Sequence, residues 1–311
     1  MIISEYGAAP GVRGIYEIVH TDAAMAEIRT DGKKSLVGAY HSIKTQCERH
    51  ENNWKRVAER PWLAGGIIWV GMDHRGEGYG WPCAYSQMGI FDACRFPKDT
   101  VAFYHKTWCD KPMIHLFPHW TWPGKDKQNI SVWAYSNCDE VELSLNGNSL
   151  GTQPVRPFEH NTWEVPYNPG TLTAIARKAG KEACRAEVKS AGAPARLEIE
   201  ADRTDITADG EDLSFITIRI LDASGVIVPQ ANVPVTVTVD GPARLLGLCS
   251  GDQRSQENNH GHSMKTFNGL LLAIIQGNEN APGEIIVNAK SDGLTDGRCS
   301  CLSVLQEKKD L

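Results

Sequence analysis

Met1, Ile2 and Ile3 form a short apolar run that stops at Ser4-Glu5-Tyr6-Gly7. A β-branched apolar run of this length predicts a buried strand, here one that ends in a carboxylate. Residues 8–13, with Pro10 and Gly11, read as a loop. Residues 14–28 carry a mixed pattern with a helical turn, and 31–34 read as a plain turn. From 40 to 60 the positions Ile43, Cys47, His50, Trp54 and Val57 recur at three and four residues, the stripe of an amphipathic helix. Pro61 follows, where a proline is expected past a helix end. A second apolar run, 63–70, predicts a strand covered on both faces, as in a parallel pair flanked by helices. Residues 96–108 predict another helix, with Pro97 suited to its first turn.

After Lys111-Pro112 the period changes to two. Short strands are predicted at 114–119, 130–135, 140–145, 162–166, 172–177 and 184–189, and Asn146-Gly147 marks a type I′ hairpin turn. This is the grammar of a small immunoglobulin-like sandwich. Residues 190–194 form a short linker, after which the alternation restarts at Leu197 and Ile199. Ile216, Ile218 and Ile220 share one face, as do Val233, Val235, Val237 and Val239, and strands follow at 270–276 and 284–289. The turns are 222–225 and 240–242. The two sandwiches share no motif beyond the pattern, and the charged tail 306–311 reads as frayed.

Strand, helix, strand, helix followed by two β domains divides the chain into 1–110, 111–190 and 195–305. The fold class is a multidomain chain: strand-helix units as in part of a (β/α)8 barrel, then two all-β immunoglobulin-like sandwiches. In such barrels, loops at the carboxyl ends of strands build the site. That singles out Glu5 after the first strand, and Trp69, Asp73, Glu77 and Trp81 at and after the second, with His74 and Arg75 as weaker candidates. A net charge of −6 offers no basic field for nucleic acid or an anionic membrane surface. No run approaches the ~18 apolar residues of a membrane span. No secretion signal follows Met1, which leaves a periplasmic or extracellular location compatible with the chain.

Nine cysteines without a Cys-x-x-Cys spacing argue against a disulfide framework and a zinc ribbon. Cys299 and Cys301 point to one side of a strand. Asp252, His260 and His262 lie in a polar loop, 250–262, whose alternative reading is metal binding; residues 202–212 read as a solvated edge. Nine tryptophans suit stacking on sugar rings or a hydrophobic core, and Trp120, Trp122, Trp133 and Trp163 are read chiefly as core. No metal and no cofactor is expected.

Ile2-Ile3-Ser4-Glu5-Tyr6-Gly7, followed about sixty residues later by Trp62-Leu63-Ala64-Gly65-Gly66-Ile67-Ile68-Trp69, resembles the end of the catalytic barrel of glycoside hydrolase family 2. That is the β-galactosidase and β-glucuronidase family. Residues 92–99, Asp-Ala-Cys-Arg-Phe-Pro-Lys-Asp, resemble the stretch closing the barrel in the bacterial β-galactosidase branch with two extra C-terminal sandwiches. Residues 239–243 and 266–270 look like the last of those sandwiches. The resemblance implies a retaining hydrolase acting on β-linked oligosaccharides or glycosides, with Glu5 as nucleophile and Trp69 lining the sugar subsite. The family's acid/base glutamate, within an Asn-Glu pair on the fourth barrel strand, and its magnesium ligands fall in the part of the family's architecture upstream of these residues, so the chain alone is expected to be inactive. A histidine three residues after the nucleophile in the enterobacterial enzyme is Ala8 here. A β-glucuronidase is the alternative; non-catalytic carbohydrate-binding or spacer modules are the other. Two apolar strands unable to close a barrel predict an exposed apolar patch and a free strand edge within 1–110.

Overall fold

A computed structural model describes residues 1–17, 26–28, 34–36 and 39–305. The predicted helical turn within 14–28, most of the turn at 31–34 and the tail 306–311 lie outside the described residues. Contacts divide the chain into two units: Met1–Ser190 with Gln253–Ser255, and Ala191–Asp252 with Gln256–Leu311.

The first unit opens with β1 (Ile2–Tyr6), the short hairpin β2 (Ala26–Ile28) and β3 (Lys34–Leu36), helix α1 (Ile43–Ala58), β4 (Gly65–Ile68) and helix α2 (Thr100–Trp108). β1 and β4 pair in parallel, with Ile2 opposite Gly65 and Tyr6 opposite Ile68. α1 forms where the stripe predicts it. Ser42 caps it by accepting from the Lys44 amide, and Lys55 and Arg56 sit favourably in the last turn. Its buried face also carries Gln46 and Glu51. α2 begins later than predicted, at Thr100 behind Asp99. The Asp92 carboxylate accepts from the Cys94 and Phe96 amides, and Phe91 bridges Pro97, which closes 91–97 into a tight loop with Arg95 at positive φ.

Ile3, Tyr6 and Ile68 pack against Ile43, Cys47, Phe103 and Tyr104. The expectation that both faces of the strands are covered is corrected: Ile2 is 58 % and Ile67 57 % exposed. β1 and β4 have only each other as sheet neighbours, and the helices cover one side. No closed barrel is present among the described residues.

The rest of the unit is a sandwich. One sheet, in the order β5-β6-β9, comes from β5 (Ile114–Phe117), β6 (Asn129–Ser136) and β9 (Asn161–Pro166). The other, in the order β11-β10-β7-β8, comes from β7 (Glu140–Leu145), β8 (Asn148–Pro154), β10 (Thr171–Lys178) and β11 (Lys181–Lys189). Asn146 and Gly147 both take positive φ, as a type I′ turn between β7 and β8 requires. Trp120, Trp122 and Trp163 are buried in the core between the sheets. Trp133 is buried against Phe117 and Tyr135, so none of the four forms an exposed platform.

The second unit is a nine-stranded sandwich among the described residues: β12 (Pro194–Ala201), β13 (Asp205–Thr207), β14 (Leu213–Asp222), β15 (Pro234–Asp240), β16 (Ala243–Cys249), β17 (Ser263–Lys265), β18 (Leu270–Gly277), β19 (Gly283–Lys290) and β20 (Gly297–Val304). Its sheets run β12-β14-β18-β16 and β13-β20-β19-β15-β17. Ile216, Ile218, Ile220, Val235, Val237, Ile285 and Val287 fill the space between them. The acidic and basic residues of 202–212 lie on a solvated edge, while Ile206 between them is buried at 1 % exposure. Among the described residues no group of three or more His, Cys, Asp or Glu side chains can hold a metal ion, so the metal reading of Asp252, His260 and His262 finds no support.

Candidate active site

Glu5 stands at the penultimate position of β1 and is exposed; no described side chain pairs with it. The Trp69 amide donates to the Tyr6 carbonyl at 2.8 Å, so the chain leaving β4 is fastened beside the end of β1. Glu5 and Trp69 therefore occupy the same, carboxyl, end of a parallel pair. The Trp69–Val70 peptide is cis, and the half-buried Trp69 ring meets His74 edge-on with centroids 6.2 Å apart. His74 lies 3.5 Å from the exposed Glu77 carboxylate and 3.2 Å from the Ser86 hydroxyl.

The loop after β4 is more ordered than a glycine-rich solvated segment. Arg75 bridges Tyr85, the Ser86 amide donates to His74, and the Gly76 amide donates to Ala84, which makes a hairpin-like excursion. Glu77 and Trp81 lie on its tip, Trp81 being 72 % exposed. Arg75 itself sits over the Tyr85 ring at 5.4 Å.

Asp73 is placed differently from the others. It is 4 % exposed; its Oδ1 accepts from Lys98 Nζ and the Gly89 amide, both at 2.8 Å, and its Oδ2 accepts from Gln253 at 2.5 Å. A carboxylate so engaged is an internal anchor, and the expectation that it touches sugar hydroxyls is corrected on that ground. Burial raises its pKa against the opposing pull of Lys98, and burial likewise lowers that of Lys98. Lys98 Nζ also donates to the Gly11 and Gln87 carbonyls. Gln46, from α1, donates to the carbonyls of Ala9, Gln87 and Gly89 and accepts from Thr100. Arg13 pairs with Asp92 at 2.6 Å, both buried. The loop after Glu5 is thus tied to the loop after β4 through buried polar groups. Of these, Gln46 was readable from the helical stripe, three residues after Ile43; Lys98, Asp92, Arg13 and Gln87 give no periodic signal.

Gly7 follows at φ +85°, and a Cβ there would meet His50 Cε1 at 2.4 Å. Both facts demand glycine. Gly7→Ala is expected to destabilise the first unit by about 2 kcal/mol or more in urea unfolding. His50 is fully buried, 2.6 Å from the Tyr104 hydroxyl, and burial, helped by the Lys98 charge, lowers its pKa to about 4. Unfolded, it titrates near 6.5. Below that value the unfolded chain takes up a proton the folded one refuses, so stability falls as pH drops from about 6.5 towards 4. The loss between pH 7 and pH 5 is on the order of 2 kcal/mol, and His50→Gln should flatten that part of the pH profile.

Residues 197–300 match the family model described as glycoside hydrolase family 2 C-terminal domain 5, and 127–184 match a domain of unknown function. The chain is 40 % identical over 250 residues to Beta-galactosidase BoGH2A of Bacteroides ovatus, covering 79 % of this chain and 29 % of that protein. The chain belongs to glycoside hydrolase family 2. It is 26 % identical over 214 residues to a beta-glucuronidase of Formosa agariphila, covering 66 % of this chain and 21 % of that one. Among solved structures it superimposes on a beta-glycosidase from Bacteroides vulgatus with a TM-score of 0.85 at 28 % identity, covering 96 % of this chain and 41 % of that chain. The chain spans less than a third of the length of these two curated relatives.

Proposed function

We propose that residues 1–110 are the last two strand-helix pairs of a (β/α)8 barrel, followed by sandwiches at 111–190 and 195–305, in a retaining β-galactosidase. The observation that carries this reading is the parallel pairing of β1 and β4, with Glu5 and Trp69 at one end. Two parallel strands joined through a helix are the repeating unit of such barrels, and catalytic groups stand at their carboxyl ends. In this reading the exposed apolar positions Ile2 and Ile67 are covered by neighbouring barrel strands in a protein of the relatives' length.

A retaining glycosidase needs two carboxyl groups about 5 Å apart. The Glu5 carboxylate attacks the anomeric carbon and expels the aglycone oxygen, which takes a proton from the second carboxyl group. Water, deprotonated by that same group, then releases the sugar with its configuration retained. The nucleophile attacks as a carboxylate, and Glu5 is exposed at the carboxyl end of β1, open to an approaching sugar. Asp73, buried and paired, is unsuited to the acid/base role, so we assign the second group to sequence beyond these 311 residues. Trp69 offers a ring face for the sugar, and Glu77 and Trp81 are assigned to the subsite's outer rim.

The test is aryl β-galactoside hydrolysis by the 311-residue chain and by a protein extended to the relatives' length. Turnover by the longer protein alone is expected. Robust turnover by the short chain, abolished by Glu5→Gln, would overturn the assignment of the second carboxyl group. The likeness to the Formosa agariphila beta-glucuronidase favours a second reading, glucuronide hydrolysis. Rates of the longer protein on galactoside and glucuronide separate the two, and a faster rate on the glucuronide would replace the galactosidase reading.

A further inference from the structure

Cys138 and Cys184 lie close together in the first sandwich, their Sγ atoms 3.9 Å apart. Cys138 lies in the turn between β6 and β7, buried at 6 % exposure. Cys184 is one of three inward-facing residues of β11, with Ala186 and Val188, and is half-buried. Both thiols are free. They are separated by 46 residues in sequence, and they share a hydrophobic core with Val141 and Ala176. A disulfide needs its sulfurs about 2.05 Å apart, with Cα atoms within ~7 Å, and thiols already in contact approach that geometry through side-chain rotation. The other close pair, Cys299 and Cys301, lies two apart on one strand, where both side chains project in the same direction. Cys138 also lines an open cleft with Lys106, Arg156 and Phe158, so it is reached from outside at that face.

We propose that Cys138 and Cys184 form an oxidisable pair that closes to an intramolecular disulfide by exchange with a small linear disulfide such as oxidised glutathione. The half-exposed Cys184 reacts first. Its thiolate attacks one sulfur of the reagent, the reagent's S–S bond breaks, and one small thiolate leaves and picks up a proton. The Cys138 thiolate then attacks Cys184 Sγ, expels the second small thiolate and makes the Cys138–Cys184 bond. Two protein thiols lose two electrons and two protons, and one small disulfide becomes two thiols. Burial and the neighbouring Cys138 push the Cys184 thiol up to about 11. Only the thiolate attacks, so the rate is expected to climb about tenfold per pH unit between pH 7 and 9.

The experiment uses the full 311-residue chain, reduced, desalted and incubated with oxidised glutathione at pH 8.5. It is followed by intact mass and by peptide mapping without reduction. The expected product is about 2 Da lighter, without a retained adduct. It contains one linked peptide pair joining Cys138 to Cys184. The first thermal transition is expected to rise by about 5–10 °C, because a long loop of the unfolded chain is closed. Cys138→Ala should stop at a glutathione adduct on Cys184, and Cys184→Ser should give neither adduct nor bridge at these positions. The half-exposed edge-strand position of Cys184 makes the second variant informative even if the first fails to fold. A lasting glutathione adduct on Cys184 in the unsubstituted chain would overturn the proposal. So would a bridge that omits either cysteine, or free thiols unchanged after the pH 8.5 incubation.

Discussion

Glu5→Gln, in a protein extended to the relatives' length, is expected to lower kcat for an aryl β-galactoside by on the order of 10^4-fold or more. Gln keeps the size and hydrogen-bonding reach of Glu but has no charge to attack the anomeric carbon, so the covalent step is lost while sugar binding persists. KM should therefore change little relative to kcat. Glu5 is exposed at the penultimate position of β1 and does not belong to the cluster that holds Ile3 and Tyr6, so the substitution should leave stability unchanged. An equal loss in folding stability would show a structural rather than a chemical cause. Trp69→Ala acts on the sugar rather than the bond and should raise KM more than it lowers kcat.

The second large effect concerns the buried pair. Lys98 and Asp73 have side chains at 0 % exposure and lie 2.8 Å apart. Removing one partner leaves the other charged and dry, a loss of about 3–5 kcal/mol. Asp73→Asn and Lys98→Met should each lower the unfolding free energy measured in urea by that much. Asp73→Asn/Lys98→Met together should cost less than the sum, because no lone charge remains. In the longer protein the single variants should lose activity through misplacement of the loop after Glu5, since Lys98 also holds the Gly11 carbonyl. A raised KM at unchanged stability for Asp73→Asn would return Asp73 to the sugar site.

Much of this architecture is legible in the residue pattern, and the reasons are local. The stripe of α1 and the Asn146-Gly147 turn each need only a short window of sequence, and the structure places both where that window does. The valine and isoleucine alternation of the second sandwich is equally direct. β13 and β17 are three residues each, too short to show any period, and are defined by their partners β20 and β15. The start of α2 escapes because residues 91–97 close into a loop through Asp92 and the Phe91–Pro97 bridge, contacts that no helical period reports.

The site divides in the same way. Glu5 is visible because a carboxylate interrupts an apolar run at its end. Asp73 resembles any loop acid in sequence, and only the approach of Lys98, Gly89 and Gln253 makes it an anchor. Gln253 is 180 residues away in the chain, beyond the reach of any spacing rule. The exposure of Ile2 and Ile67 is likewise a property of what lies beside the strands, not of the strands themselves.

The central claim is that Glu5 forms the covalent bond to the sugar. It is tested by reacting the longer protein with a 2-deoxy-2-fluoro-β-galactosyl fluoride, which slows breakdown of the glycosyl-enzyme, and mapping the labelled peptide by mass spectrometry. A single sugar on the peptide carrying Glu5, absent in Glu5→Gln, is the predicted result. A label on Glu77, on Asp73 or on any carboxylate outside that peptide would contradict it.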